Sequence, residues 1–123
     1  MAIKPSVLIV DDDDTLRVTL QKIFRKAGFD AQTAGNAQDA LREVSEHPWD
    51  LVLADLKMPR KDGLSLLDEI RTLRPDSKVI IMTAYGTDDT RRDALERGAC
   101  GYLDKPVSRA ELLSLCKKSL GDD

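Results

Sequence analysis

The chain has no excess of basic residues. Nineteen Lys and Arg stand against 22 Asp and Glu, for a formal net charge of −3. The electrostatic footprint of a nucleic-acid binder is therefore missing, and no direct nucleic-acid partner is expected. No apolar run approaches the roughly 20 residues that a membrane span needs, so no membrane partner is expected. Met1-Ala2-Ile3-Lys4-Pro5 lacks the apolar core of a signal peptide. Cysteine is scarce: Cys100 and Cys116 form no CxxC or CxxH pattern and read as two small core thiols in a reducing compartment. Cytoplasmic localisation follows as the expectation. The single histidine, His47, stands beside Pro48 and reads as a surface loop residue rather than a phosphohistidine. There is no linker, repeat or low-complexity tract. The 123 residues read as one domain, 1–123, large enough to bury a core without disulfide or metal staples.

What the chain does have is a set of short apolar runs, each ending in a polar group. Leu51-Val52-Leu53-Ala54 runs into Asp55. A carboxylate at the end of a buried strand is costly without a cation, a donor or an exposed edge. Val7 to Val10 ends in Asp11-Asp12, Val79 to Met82 in Thr83-Ala84, and Gly101-Tyr102-Leu103 in Asp104-Lys105-Pro106. In open parallel α/β sheets ligands bind at that edge of the strands.

Between these runs lie helical patterns. Strands are expected at Ser6 to Val10, Phe29 to Ala34, Asp50 to Ala54, Lys78 to Met82 and Gly101 to Leu103. The first helix is capped by Asp13 or Asp14, carries Leu16, Leu20, Ile23, Phe24 and Ala27 on one face, and ends at Gly28. Asn36 caps a second helix to about Glu46, with Ala37, Ala40, Leu41 and Val44 inward. Leu64, Leu67, Ile70 and Leu73 mark a third, stopped before Pro75. Thr87 or Asp88 caps a fourth to Arg97, whose apolar side holds little beyond Ala94 and Leu95, so it is expected to be loosely held. Ser108 caps a fifth, with Leu112, Leu113, Cys116 and Leu120 inward. The tail Gly121-Asp122-Asp123 is expected to fray. Five βα units predict a parallel sheet with helices on both faces. Trp49 is expected at the bottom of that sheet, and Arg60 and Lys61 as solvated loop cations.

This arrangement gathers Asp11, Asp12 and Asp55 at one sheet edge. Clustered carboxylates repel unless a cation sits among them. Oxygen-only ligands suit Mg²⁺, which favours a phosphate oxygen as a further partner. Lys105 adds an ammonium and Thr83 a hydroxyl. A cation, an ammonium and a hydroxyl around one carboxylate suit phosphoryl transfer, with the carboxylate as nucleophile.

On these residues the chain resembles a bacterial two-component response-regulator receiver domain, of the CheY-like superfamily, over nearly its whole length. The family's acidic pair matches Asp11 and Asp12, its phosphoacceptor Asp55, its Thr or Ser Thr83, its Lys-Pro pair Lys105-Pro106, and its aromatic switch residue Tyr102. Met58-Pro59 and Asp62-Gly63 also fit. The resemblance implies a flavodoxin-like (βα)5 fold with strand order 2-1-3-4-5. It implies Mg²⁺ held by Asp11, Asp12, Asp55 and the backbone carbonyl of Lys57, and a cis Lys105–Pro106 bond. It implies a phosphoryl donor in the form of a histidine kinase or histidine phosphotransfer protein, and a downstream output domain or protein. It also implies a phosphorylation-linked homodimer and an output face made of the fourth helix, fifth strand and fifth helix. Such a domain assists its own phosphorylation and dephosphorylation but is not a product-forming enzyme. Met-Ala at the start fits a natural N-terminus, and the end after the fifth helix fits either a free-standing protein or a receiver cut from a longer regulator.

A second resemblance comes from another class. Val7 to Leu16, a hydrophobic strand followed by Asp-x-Asp-x-Thr, is similar to the opening of haloacid-dehalogenase-type phosphatases, which would make Asp11 the nucleophile. The chain is short for that fold, Asp122-Asp123 follows a helix instead of a strand, and Asp55 and the Met58-Pro59 loop would have no role.

Overall fold

A computed structural model describes residues 4–58 and 61–121. Pro59, Arg60 and the Asp122-Asp123 tail, which figured in the sequence reading, lie outside the described residues, as do the first three. The strands are β1 (Ser6–Val10), β2 (Asp30–Ala34), β3 (Leu51–Asp55), β4 (Lys78–Thr83) and β5 (Gly101–Asp104). The helices are α1 (Asp14–Lys26), α2 (Ala37–Glu46), α3 (Gly63–Leu73), α4 (Asp88–Glu96) and α5 (Arg109–Ser119). The sheet is parallel with order β2-β1-β3-β4-β5, as the resemblance implies.

Side chains alternate across the strands, and each set meets its own helices. Val7, Ile9, Leu51, Leu53, Ile80 and Met82 pack against Leu20 and Phe24 of α1 and Leu112 and Cys116 of α5. Leu8, Val10, Val52, Ala54, Val79 and Ile81 pack against α2, α3 and α4. All five residues of β3 are buried, because β1 and β4 flank it and helices cover both faces. Burying one Leu stabilises by about 1.5–3 kcal/mol and one further CH₂ by about 0.8 kcal/mol. Helix α3 buries Leu66, Leu67 and Ile70, whereas α4 buries Ala94 alone. The thin apolar side expected of the fourth helix is what the structure shows, and Leu95 stands exposed.

Several boundaries differ from the sequence reading. Strands β3, β4 and β5 each run one residue further, so Asp55, Thr83 and Asp104 close their strands, paired as Asp55 with Met82 and Thr83 with Asp104. Phe29 precedes β2: its N–H closes the end of α1 on the Phe24 carbonyl, and the two rings meet edge to face at 5.1 Å. Asp13, not Asp14, caps α1 through the Leu16 N–H, and Thr87, not Asp88, caps α4. Leu66 takes the inward place expected for Leu73, which is 48% exposed. Successive i+3 steps each fall about 60° short of full turns, so three of them carry the stripe roughly half a turn out. Cys116 is buried as expected, but Cys100 is exposed. Trp49 is buried, its Nε1 donating to the Glu43 carbonyl at 3.1 Å, and its own carbonyl accepts from Ser77 Oγ.

Candidate functional site

The β3 ladder ends in Asp55, and the chain must then turn sharply into α3. Gly63 makes that turn feasible: its N–H donates to the Leu56 carbonyl at 2.7 Å, and a Cβ there would lie 2.5 Å from the Asp55 carbonyl oxygen. Asp62 caps α3 through the Ser65 N–H. The carboxylate of Asp55 thus projects from a fixed point at the centre of the sheet edge.

Asp11 follows β1, the neighbouring strand, and is fully buried. Asp12 beside it is exposed. One carboxylate oxygen from each of Asp11, Asp12 and Asp55 lies within 4.8 Å of the others. Lys105, just past β5, reaches across β4 to join them. Its Nζ donates to Asp11 Oδ2 at 2.8 Å and to Asp55 Oδ2 at 3.1 Å. The other oxygens take backbone donors: Asp11 Oδ1 accepts from the Asp13 N–H at 2.9 Å, and Asp55 Oδ1 from the Lys57 N–H at 3.2 Å. Both buried carboxylates are therefore hydrogen-bonded on both oxygens.

Burial raises the Asp55 pKa, outweighing the lowering by the Lys57 N–H and Lys105, and the nearby Asp11 charge adds to the rise. Burial works against the charge of Lys105, but its hydrogen bonds to Asp11 and Asp55 win and hold its pKa above the usual lysine value. Three carboxylates against one ammonium leave two negative charges in the cluster when all are ionised. An all-oxygen site with that surplus fits a divalent hard cation.

Thr83 is fully buried at the end of β4, and its Oγ1 accepts from the Tyr85 N–H at 3.1 Å. Among the described residues it makes no hydrogen bond to Asp55. Tyr102 lies inward, 9% exposed, with its hydroxyl 3.1 Å from Thr90 Oγ1. The Lys105–Pro106 bond is cis. The sequence-derived set of Asp11, Asp12, Asp55 and Lys105 is brought together, with Thr83 and Tyr102 on the adjoining strands. His47 is exposed on the α2–β3 connection. Lys61 is no free cation, because it pairs with Glu69.

Three features escaped the sequence reading. Arg17 on α1 donates to the Asp11 carbonyl at 2.7 Å and to Asp14 at 2.5 Å, tying down the acidic loop. Its i,i+3 spacing from Asp14 was a readable signal, its reach to Asp11 was not. Lys57 Nζ lies 4.8 Å from the centroid of the exposed Tyr85 ring, and Gly86 and Thr90 surround the Tyr102 hydroxyl. The phosphatase alternative finds no support. It leaves Asp55 without a role, whereas Asp55 closes the central strand and joins Asp11, Asp12 and Lys105 in one cluster.

A family model described as the response regulator receiver domain matches residues 7–117. The DNA-binding transcriptional regulator NtrC of Azospirillum brasilense is 36% identical over 96% of this chain and 24% of its own length. The chain spans about a quarter of the length of the curated relatives it matches. A CheY-like receiver domain protein from Methanospirillum hungatei superposes with a TM-score of 0.94 at 31% identity, covering 97% of this chain and 95% of that one. The beryllofluoride-activated NtrC4 receiver domain dimer gives 0.90 at 32% identity, covering 94% and 96%.

Proposed function

The chain belongs to the response regulator receiver domain family, and from that premise we propose that residues 1–123 form a receiver that takes a phosphoryl group on Asp55. In this reading a carboxylate oxygen of Asp55 attacks the phosphorus of a phosphohistidine on a histidine kinase or histidine phosphotransfer protein. The O–P bond forms as the P–N bond breaks, and the imidazole leaves with its nitrogen lone pair. Lys105, 3.1 Å from Asp55 Oδ2, offers an ammonium to the oxygens of the transferring group. Thr83 on the next strand offers its hydroxyl once the Tyr85 N–H releases it. Asp11, Asp12, Asp55 and the Lys57 carbonyl would hold Mg²⁺. When bound, the ion supplies positive charge to the phosphoryl oxygens.

The observation that carries this reading is the Asp55 carboxylate at the end of the central strand, engaged by Lys105 and clustered with Asp11 and Asp12. The domain assists its own phosphorylation and hydrolysis and turns over no outside substrate as an enzyme does. Its output passes through the α4-β5-α5 face. Thr83 and Tyr102 border that face, and α4 is held weakly. The dimer recorded for the activated NtrC4 receiver supports a phosphorylation-linked homodimer as one form of output. The partial coverage of regulators such as NtrC supports an output domain or protein alongside the receiver. In this reading the domain works in the cytoplasm, and its net charge of −3 favours no direct contact with nucleic acid or membrane.

Incubation with acetyl phosphate and Mg²⁺ tests the assignment. One phosphoryl group, labile to acid, base and hydroxylamine as an acyl phosphate is, should appear by intact mass and map to Asp55. Asp55→Asn should abolish it, and labelling of that variant at the wild-type rate would refute the assignment.

A further inference from the structure

Tyr102 does more than fill space beside α4. Its hydroxyl lies 3.1 Å from Thr90 Oγ1, and Thr90 belongs to the capping box that starts that helix. The Thr90 N–H donates to Thr87 Oγ1 at 3.1 Å, and the Thr87 N–H donates to Thr90 Oγ1 at 2.8 Å. Thr90 Oγ1 also lies 3.0 Å from the Thr87 carbonyl, the acceptor for its own proton. A hydroxyl has one proton to give and two lone pairs to accept with. Thr90 gives its proton to the Thr87 carbonyl and accepts from the Thr87 N–H, and its remaining lone pair is offered to the Thr87 O–H at 3.2 Å and the Tyr102 O–H at 3.1 Å. With the ring inward, the Tyr102 hydroxyl adds a donor from outside the cap, nearer than the Thr87 hydroxyl.

The other side of the ring is equally specific. Gly86 precedes the cap, and a Cβ there would fall 2.0 Å from Tyr102 Oη and 3.0 Å from Thr83 Cγ2. Such a contact leaves no room for a side chain at 86 with Tyr102 in this place. Thr83, Gly86, Tyr102 and Thr90 thus make a continuous row from the end of β4 to the first turn of α4. Because α4 buries only Ala94, its first turn depends on this cap more than the other helices depend on theirs.

We propose that Thr90 is the positioning residue through which the placement of Tyr102 reaches α4. With the ring inward, the cap is complete and the first turn is closed. With the ring outward, the cap loses its outside donor and the turn loosens. The coupling is reciprocal, so whatever orders the turn also draws the ring in. As a regulatory device the row rests on the receiver reading, but the contact itself exists without a phosphoryl group.

Amide exchange in the absence of any phosphoryl donor tests the row. The reporters are the Thr87, Thr90 and Arg91 amides, the last bonded to the Thr87 carbonyl at 3.0 Å. Tyr102→Phe should speed their exchange about fivefold, the worth of one ordinary hydrogen bond. In a Thr90→Val background, already faster, the same change should add little, whereas in Thr90→Ser it should act as in wild type. Gly86→Ala should expel the ring and match Tyr102→Phe. Unaltered exchange of β1 and β3 amides shows that the variants are folded. No effect of Tyr102→Phe, or an equal effect with and without the Thr90 hydroxyl, overturns the proposal. Acetyl phosphate labelling of the same chains reads the Asp55 assignment separately. Labelling without coupling overturns the row alone, whereas coupling without labelling overturns the receiver reading and the row's regulatory sense with it.

Discussion

Lys105→Met should destabilise the metal-free protein out of proportion to one surface lysine. Its ammonium is the shared partner of two buried carboxylates, 2.8 Å from Asp11 and 3.1 Å from Asp55, and its side chain is only 16% exposed. At an effective dielectric of about 20, each contact is worth roughly 5–6 kcal/mol of Coulomb attraction. Desolvation of the three groups cancels much of that, and removing one partner of such a pair leaves a net cost of about 3–5 kcal/mol. Protonation of a stranded carboxyl limits how large that cost becomes. Urea unfolding in EDTA at pH 7 should therefore show a loss of about 3–4 kcal/mol with an unchanged m-value, and a melting point lower by roughly 10 °C or more.

The pH dependence follows from the same contacts. The raised pKa of Lys105 contributes stability that is fully present below the unfolded lysine value and lost as pH rises through the folded one. In the variant Asp55, already raised by burial, loses the lowering by Lys105 and binds a proton more readily folded than unfolded, so the variant's deficit should shrink as pH falls. The gap between wild type and variant should narrow at both ends. Adding Asp11→Asn to Lys105→Met should recover part of the loss, because one of the two uncompensated charges is gone. A Lys105→Met protein within about 0.5 kcal/mol of wild type at pH 7 in EDTA, the range of an ordinary surface substitution, would refute this account of the site.

Asp12→Asn should raise the melting point without metal and weaken Mg²⁺ binding, since Asp12 is exposed and adds only repulsion to the cluster. A variant that melts well below wild type in EDTA would mean that Asp12 is structural. Iodoacetamide at pH 8 should modify Cys100 and spare Cys116, which is buried with its thiol pushed up to about 12, burial being the larger cause and Cys100 the lesser. Equal labelling of both in the native state, read by peptide mass, would contradict the packing of α5 on the sheet.

The βα alternation and the identity of the acidic cluster were legible because they rest on short-range signals, whereas the strand order came only through the family resemblance. A short strand-like run, a cap and a helical stripe repeat five times, and a parallel sheet with right-handed crossovers suits that alternation. The same signals stop at the strand ends. Asp55, Thr83 and Asp104 are ladder residues because their neighbours extend the pairing, which no local pattern reports. Cys100 looked like core from its type. Its N–H does join the sheet through the Val79 carbonyl, but it stands beside an edge strand with its side chain facing out. The Tyr102 hydroxyl and Thr90 are 12 residues apart, and their meeting depends on Gly86 being a glycine. A sequence shows that Gly86 is small, not what presses against it.

The distribution of packing then bears on how a signal could leave the site. Helices α1, α3 and α5 are anchored by Leu20, Phe24, Leu66, Leu67, Ile70, Leu112 and Cys116, all buried. Helix α4 has Ala94, its cap, and Arg97 bonded to Asp68 and Asp93 at the exposed far end. One buried methyl and one cap amount to about 2 kcal/mol. A switch from 1:99 to 99:1 needs a differential of about 5.5 kcal/mol between its two states. The attachments of α4 fall well below that figure, while those of α3, with three large buried side chains at about 1.5–3 kcal/mol each, come to about 4.5–9 kcal/mol, a range that spans it. New hydrogen bonds to a phosphoryl group on Asp55 could therefore shift α4 without disturbing the sheet beneath it. The weakly held helix is also the one that follows Thr83 in the chain, and its cap is where the row to Tyr102 meets it.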